Sequence, residues 1–118
     1  MTINARDESI LRHMLDWCIQ VDEAHHQFQH SRQAFDELSS YRNAVSMCLF
    51  QICELANHLS DQFRKEHPEL PWQQIRGMRN LFAHDYGHMD KAGIWETACN
   101  DVPVIEEFCR KQTSQELF

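Results

Sequence analysis

The apolar residues of this chain recur at helical spacing over most of its length. Ile10, Met14, Trp17, Val21, Ala24 and Phe28 follow one another at intervals of 4, 3, 4, 3 and 4, and Tyr41, Val45, Cys48, Ile52, Leu55 and Leu59 repeat the same series. This alternation keeps one stripe on one helix face and has nothing of a strand's period of two. Two stripes of about five turns each predict an antiparallel hairpin of long helices. With 3 Gly and 3 Pro in 118 residues, turns are too few for a sandwich or barrel of short strands. The expected fold is all-α: a four- to five-helix up-and-down bundle forming a single domain over residues 1–118.

Helix boundaries follow from local chemistry. Asn4, with Asp7 three residues on, is placed to start the first helix. Ser39 or Ser40 is the expected cap of the second. The stretch 30–39 between them stays open, since Ala34, Phe35 and Leu38 can extend the first helix. Pro68 disfavours a helical residue before it and predicts an end near His67. Pro71 suits the first turn of a third helix, where its missing N–H costs nothing. That helix carries Trp72, Ile75, Met78 and Phe82 and is expected to fray by Gly87. Asp90 can cap a fourth, with Ile94, Trp95, Ala98, Val102, Ile105 and Cys109, which Pro103 should kink or split. The tail from about Gln112 is expected to be loose.

Charge narrows the functional classes. There are 11 Lys plus Arg against 18 Asp plus Glu, a net of −7 with neutral histidines. Strong non-specific binding to nucleic acid needs many phosphate-neutralising cations. A nucleic-acid role therefore has to use a local site, such as one assembled from two chains. No run approaches the roughly 18 apolar residues of a membrane span, and the first residues do not read as a secretory signal. Cys18, Cys48, Cys53, Cys99 and Cys109 form no C-x-x-C pair. The expected compartment is a reducing cytoplasm, with no membrane partner.

The chemistry is concentrated between Pro71 and Tyr86, where Arg76, Arg79, Asn80, His84, Asp85 and Tyr86 crowd one helix. Asn80 and His84 share one helix face and Arg79 and Tyr86 another. Arg79 and His84 stand about 140° apart on an ideal helix, so they can flank one groove, which the small Ala83 leaves open. An imidazole takes and gives a proton near neutral pH. A guanidinium matches phosphate oxygens and stabilises charge developing on phosphorus. Together they suit phosphodiester cleavage without a metal. Asn80 can orient substrate or imidazole, and Tyr86 can hydrogen-bond phosphate or offer a modifiable hydroxyl. A structural reading stands beside this one: a histidine is favoured near a helix C-terminus, and Arg79 can pair with Glu54 or Asp85.

Arg79-x4-His84-x-Tyr86 resembles the R-x4-H-x-Y motif of the HepT-like toxins in the HEPN superfamily. Pro71-Trp72, Ile75-x-Gly77-Met78-Arg79-Asn80, Ala83-His84-Asp85-Tyr86, Trp95 and Asp101-x-Pro103 are similar to the same family, and the likeness runs from about residue 7 to residue 110. Glu54 stands where the family commonly has a Gly-Glu pair, with Cys53 in place of the Gly. The resemblance implies a helical homodimer with the two motifs facing each other. It implies a toxin acting as a metal-independent ribonuclease on RNA, with Arg79 and His84 catalytic, Asn80 supporting, and Tyr86 in the same site. It also implies a cognate antitoxin, a minimal nucleotidyltransferase of the MNT type, that transfers AMP to Tyr86. A two-fold interface would gather copies of Arg79 and Arg76 into a local basic site on an acidic protein.

The alternative is a non-catalytic HEPN module that binds a nucleotide or a partner, or serves as the AMP acceptor. His26 and His30 are four apart, a spacing that can bind metal, but no Glu-His zinc signature accompanies them, and a polar helix face is the plainer reading. The expectation is no metal and no cofactor. Trp17, Trp72 and Trp95 read as packing residues, and Asp22, Glu23, Asp36 and Glu37 as solvated surface. No glycine-rich phosphate loop or G-x-S-x-G motif is present, which disfavours nucleotide hydrolysis and serine nucleophiles.

Overall fold

A computed structural model describes residues 3–113. In chain order the helices are α1 (Ala5–Gln27), α2 (Arg32–Glu37), α3 (Ser39–Asn57), α4 (Asp61–Glu66), α5 (Trp72–Asp85), α6 (Lys91–Glu96) and α7 (Val102–Thr113), and no strand occurs among the described residues. The long helices α1 and α3 pack along each other, α7 covers α1, and α5 lies on the other side of α3. The all-α bundle is as expected, with three short helices, α2, α4 and α6, added to its four longer ones.

The two apolar stripes form the core. Met14, Val21, Tyr41, Val45 and Ile52 are essentially inaccessible to solvent, as is Phe35 from α2. No described helix is long and apolar enough to cross a membrane.

The helix ends show where local signals hold and where distant contacts decide. Asn4 caps α1, accepting the Asp7 N–H at 2.7 Å. α1 then ends without a glycine: Gln29 and His30 both take left-handed backbone, with φ of 59° and 51°. The His30 N–H returns to the His25 carbonyl at 2.6 Å and the Gln29 N–H to that of His26 at 3.1 Å, which closes the helix end. The stretch 30–39 is therefore neither loop nor extension of α1, but the short α2, capped by Ser31.

Three boundary expectations need correction. The N-cap of α3 is Leu38, so Ser39 and Ser40 lie inside the helix and make no cap. The second long helix ends at Asn57, well before His67, and a separate α4 follows. Asp7 is the cause of that break. Its buried carboxylate accepts from the Ser60 N–H at 2.9 Å and the Ser60 hydroxyl at 2.7 Å, tying the cap of α4 to the start of α1. Finally, residues 112 and 113 complete α7; the rest of the tail expected to be loose lies outside the described residues.

Pro103 acts as expected, in a particular way. Residues Thr97–Asp101 form a widened turn in which the Val102 N–H reaches back five residues to Thr97. A proline ring clashes with the carbonyl four residues earlier. Here the ladder opens just before Pro103, and α7 then runs on without a break.

Candidate active site

α5 is positioned from both ends. At its start, the Trp72 indole donates to the His67 carbonyl at 2.8 Å and packs with Phe63 and Phe108. Ile75 and Phe82 are its buried anchors. The side facing the edge of α3 carries three polar contacts. Arg76 Nε donates to Asn57 at 3.2 Å, Arg79 Nε donates to Glu54 at 2.6 Å, and the Tyr86 hydroxyl donates to Asn43. The two helices run antiparallel there, so residues later in α5 meet residues earlier in α3. Asn43, Met47, Phe50, Glu54 and Asn57 lie 4, 3, 4 and 3 apart, a single stripe of α3.

Between the polar contacts the seam is apolar. Met47, Phe50, Phe82 and Tyr86, with Asn43 and Ser46, line a groove of about 240 Å³. Met47 is 52% exposed. A more enclosed apolar cavity of about 140 Å³ lies beyond Ile75 and Met78, against Val102 and Ile105, and contains none of the motif residues.

Arg79 is half-buried and held at two points, by Glu54 and, at 3.2 Å, by its neighbour Asn80. Its Nη2 has no protein partner among the described residues. The hydrogen bond from Arg79 holds the Glu54 carboxyl below its ordinary value of 4.5, and His58, 3.4 Å from the other oxygen, acts in the same direction. Glu54 is thus a fixed anion that aims the guanidinium.

His84 is exposed in the last turn of α5 and makes no hydrogen bond or ion pair among the described residues. It shares a helix face with Asn80 and Gly77, at intervals of 3 and 4. Nothing lies within 4 Å of where a Cβ on Gly77 would stand, so this face is open. Asp85 pairs with His88 at 2.9 Å and not with Arg79. The helix does not fray at Gly87 but tightens into a single turn over Tyr86–His88.

Of the residues singled out in the sequence, Arg79, Glu54, Arg76 and Tyr86 thus line the α3–α5 seam, Asn80 and His84 stand on the adjoining open face, with Asn80 bonded to Arg79, and Asp85 turns to His88. Sequence reasoning missed Asn43 and Asn57. Their place on one stripe with Glu54 was the signal available.

A family model described as ribonuclease HepT-like matches residues 17–112, most of the chain. The chain belongs to the HepT-like family. Within it, the chain is similar to a candidate RNase of Methanocaldococcus jannaschii, 33% identical over 56% of this chain and 61% of that one. It is similar to a candidate RNase of Caldanaerobacter subterraneus subsp. tengcongensis, 36% identical over 48% of this chain and 50% of that one. A candidate ribonuclease HepT of Thermococcus cleftensis is 32% identical over 53% of this chain and 57% of that one. The match thus spans between half and about three fifths of the length of these HepT-like relatives. No solved structure matches the chain.

Proposed function

We propose that this HepT-like chain is an endoribonuclease that cleaves RNA without a metal, and that it is the toxin of a toxin–antitoxin pair. The observation that carries this is the pairing of Arg79 with Glu54 beside an open face bearing His84. Among the described residues one guanidinium is fixed with Nη2 unengaged, and one imidazole makes no hydrogen bond or ion pair. Of the carboxylates near these groups, Glu54 is already bonded to Arg79 and His58, and Asp85 to His88, which supports proton-transfer chemistry over a carboxylate-bound metal.

In the mechanism, two chains pair with their α3–α5 faces together, gathering two copies of Arg79 and Arg76. Exposed Met47 and the open stripe at Gly77 support contact on this side. Arg79 binds the scissile phosphate and stabilises the charge developing on its oxygens. One His84 takes the proton of the ribose 2′-hydroxyl, whose oxygen attacks phosphorus. The second His84 gives a proton to the departing 5′-oxygen. The products are a 2′,3′-cyclic phosphate and a 5′-hydroxyl. An MNT-type nucleotidyltransferase antitoxin would silence the cleft by transferring AMP from ATP to the Tyr86 hydroxyl, with release of pyrophosphate; among the described residues that hydroxyl bonds the surface residue Asn43.

The test is the chemistry of the ends. Purified protein acting on a defined RNA is expected to leave 2′,3′-cyclic phosphates. Products carrying only 3′-hydroxyl and 5′-phosphate ends indicate a metal-activated water and refute the mechanism. If no RNA is cut by unmodified protein, the non-catalytic module becomes the better reading.

A further inference from the structure

We propose that His25, His30 and Cys99 form a binding site for one borderline-soft divalent cation of the zinc type, separate from the α3–α5 seam. The three come from different parts of the chain: the last turn of α1, the reversal that follows it, and the widened turn before α7. One ring nitrogen of each histidine and the Cys99 sulfur all lie within 4.8 Å of one another. His30 Nε2 is already 3.3 Å from that sulfur. In the sequence it was His26 and His30 that had a metal-binding spacing, and the plainer reading of them was a polar helix face with no metal. The left-handed backbone at Gln29 and His30 ends the helix between them, and His30 folds back over His25.

His25 supplies the decisive observation. It is 6% exposed, and its Nε2 is buried with no hydrogen-bond partner. Its other nitrogen, Nδ1, lies 2.5 Å from the Tyr41 hydroxyl. When Nδ1 carries the proton and donates it to the Tyr41 oxygen, Nε2 holds an unused lone pair inside the protein. This is how the outer partner of a metal-bound histidine sets its tautomer.

A donor set of two imidazoles and one thiolate favours zinc-like ions over magnesium or calcium. The His25 and His30 rings are stacked, 4.1 Å apart and 5° from parallel. Parallel rings cannot both aim a lone pair at one ion, so His30, which is exposed, must tilt as the ion enters. The Cys99 thiol loses its proton to solvent on binding. A depression lined by Asp22, His25, His26, Gln29 and His30 opens to solvent beside the two histidines and gives an ion a way in. The site is independent of the cleft: Tyr41 bonds His25, whereas Asn43, two residues on, bonds Tyr86 on a different face of α3.

The test uses the full chain, stripped with chelator and returned to chelator-free buffer, then titrated with cobalt(II) and with zinc(II) against a chromophoric competitor. The expected result is one ion per chain, with a thiolate-to-cobalt charge-transfer band. Cys99→Ser is expected to abolish the band, and His30→Asn to weaken zinc binding at least about tenfold. Asn tolerates the left-handed backbone at that position, and an unchanged helical signal in both variants shows that the fold is intact. Failure to bind one ion per chain overturns the proposal. So does binding that survives both substitutions, which would place the ion on other histidines. RNA cleavage is not the readout, so the result stands apart from the nuclease reading.

Discussion

Arg79 and Glu54 meet across the seam between α5 and α3, Nε to Oε1 at 2.6 Å, and the contact determines how the guanidinium is presented. Glu54→Gln keeps the shape and removes the anion. Exposed ion pairs contribute little, so the variant should lose less than about 1 kcal/mol of stability at pH 7. The sign of the pH effect follows from the direction of the shift. Glu54 titrates below its ordinary 4.5 when folded, so its contribution is present above that value and is lost as pH falls through the lower folded value. Denaturation curves from pH 7 down to about pH 3.5 should show a shallower acid limb in Glu54→Gln than in the wild type. Identical limbs would mean that the pair is not formed in solution.

Asp7 is the most consequential polar residue of the fold. It is 2% exposed, its carboxylate accepts hydrogen bonds from the Asn4 side chain and from the Ser60 N–H and hydroxyl, and its own N–H donates to Asn4. Asp7→Ala leaves the half-buried Ser60 donors without their acceptor, at a cost of about 2–3 kcal/mol. For a domain of this size that lowers Tm by on the order of 10 °C. Calorimetry checks it, and a shift of only a degree or two would show that water replaces the carboxylate.

Gly77 sits inside α5, where glycine costs about 1 kcal/mol relative to alanine, yet a Cβ there would touch nothing within 4 Å. Gly77→Ala should therefore stabilise the isolated chain by up to that amount. If the open stripe is where a second chain approaches, the same methyl weakens the dimer. Sedimentation equilibrium is expected to show weaker association of the variant. Unchanged association would place the contact elsewhere.

Tyr86 is 38% exposed and, among the described residues, its hydroxyl bonds Asn43. Tyr86→Phe should cost about 1 kcal/mol or less. Incubated with ATP and the nucleotidyltransferase partner, the wild type is expected to gain the mass of one or more AMP groups and Tyr86→Phe none. AMP on the variant would move the acceptor to another residue.

What the sequence could and could not disclose follows the range of each interaction. The α1 stripe from Ile10 to Phe28 is a local pattern, as are the Asn4 and Asp90 caps, and all were legible. The gap between α3 and α4 was not, because Ser60 is held by a residue 53 positions away. The reversal at Gln29 and His30 lacks the glycine that marks such turns. Pro103 announced a disturbance but not its form, since whether a ladder kinks or widens depends on packing. In the site, the Arg79–Glu54 pair was foreseen as one of two options. The link from Tyr86 to Asn43 joins residues 43 positions apart and carries no motif.

In the proposed mechanism His84 moves the protons and Arg79 steadies the phosphate, with no metal taking part. The most direct measurement is cleavage of RNA in excess EDTA by purified, mass-checked protein, beside His84→Ala of equal helical signal and oligomeric state. Because His84 is exposed and makes no described hydrogen bond, its removal should leave stability within about 0.5 kcal/mol. Cleavage by the wild type in EDTA is expected, with a loss of at least about a hundredfold in the variant. Equal cleavage by both proteins, or none by unmodified wild type, would contradict the mechanism.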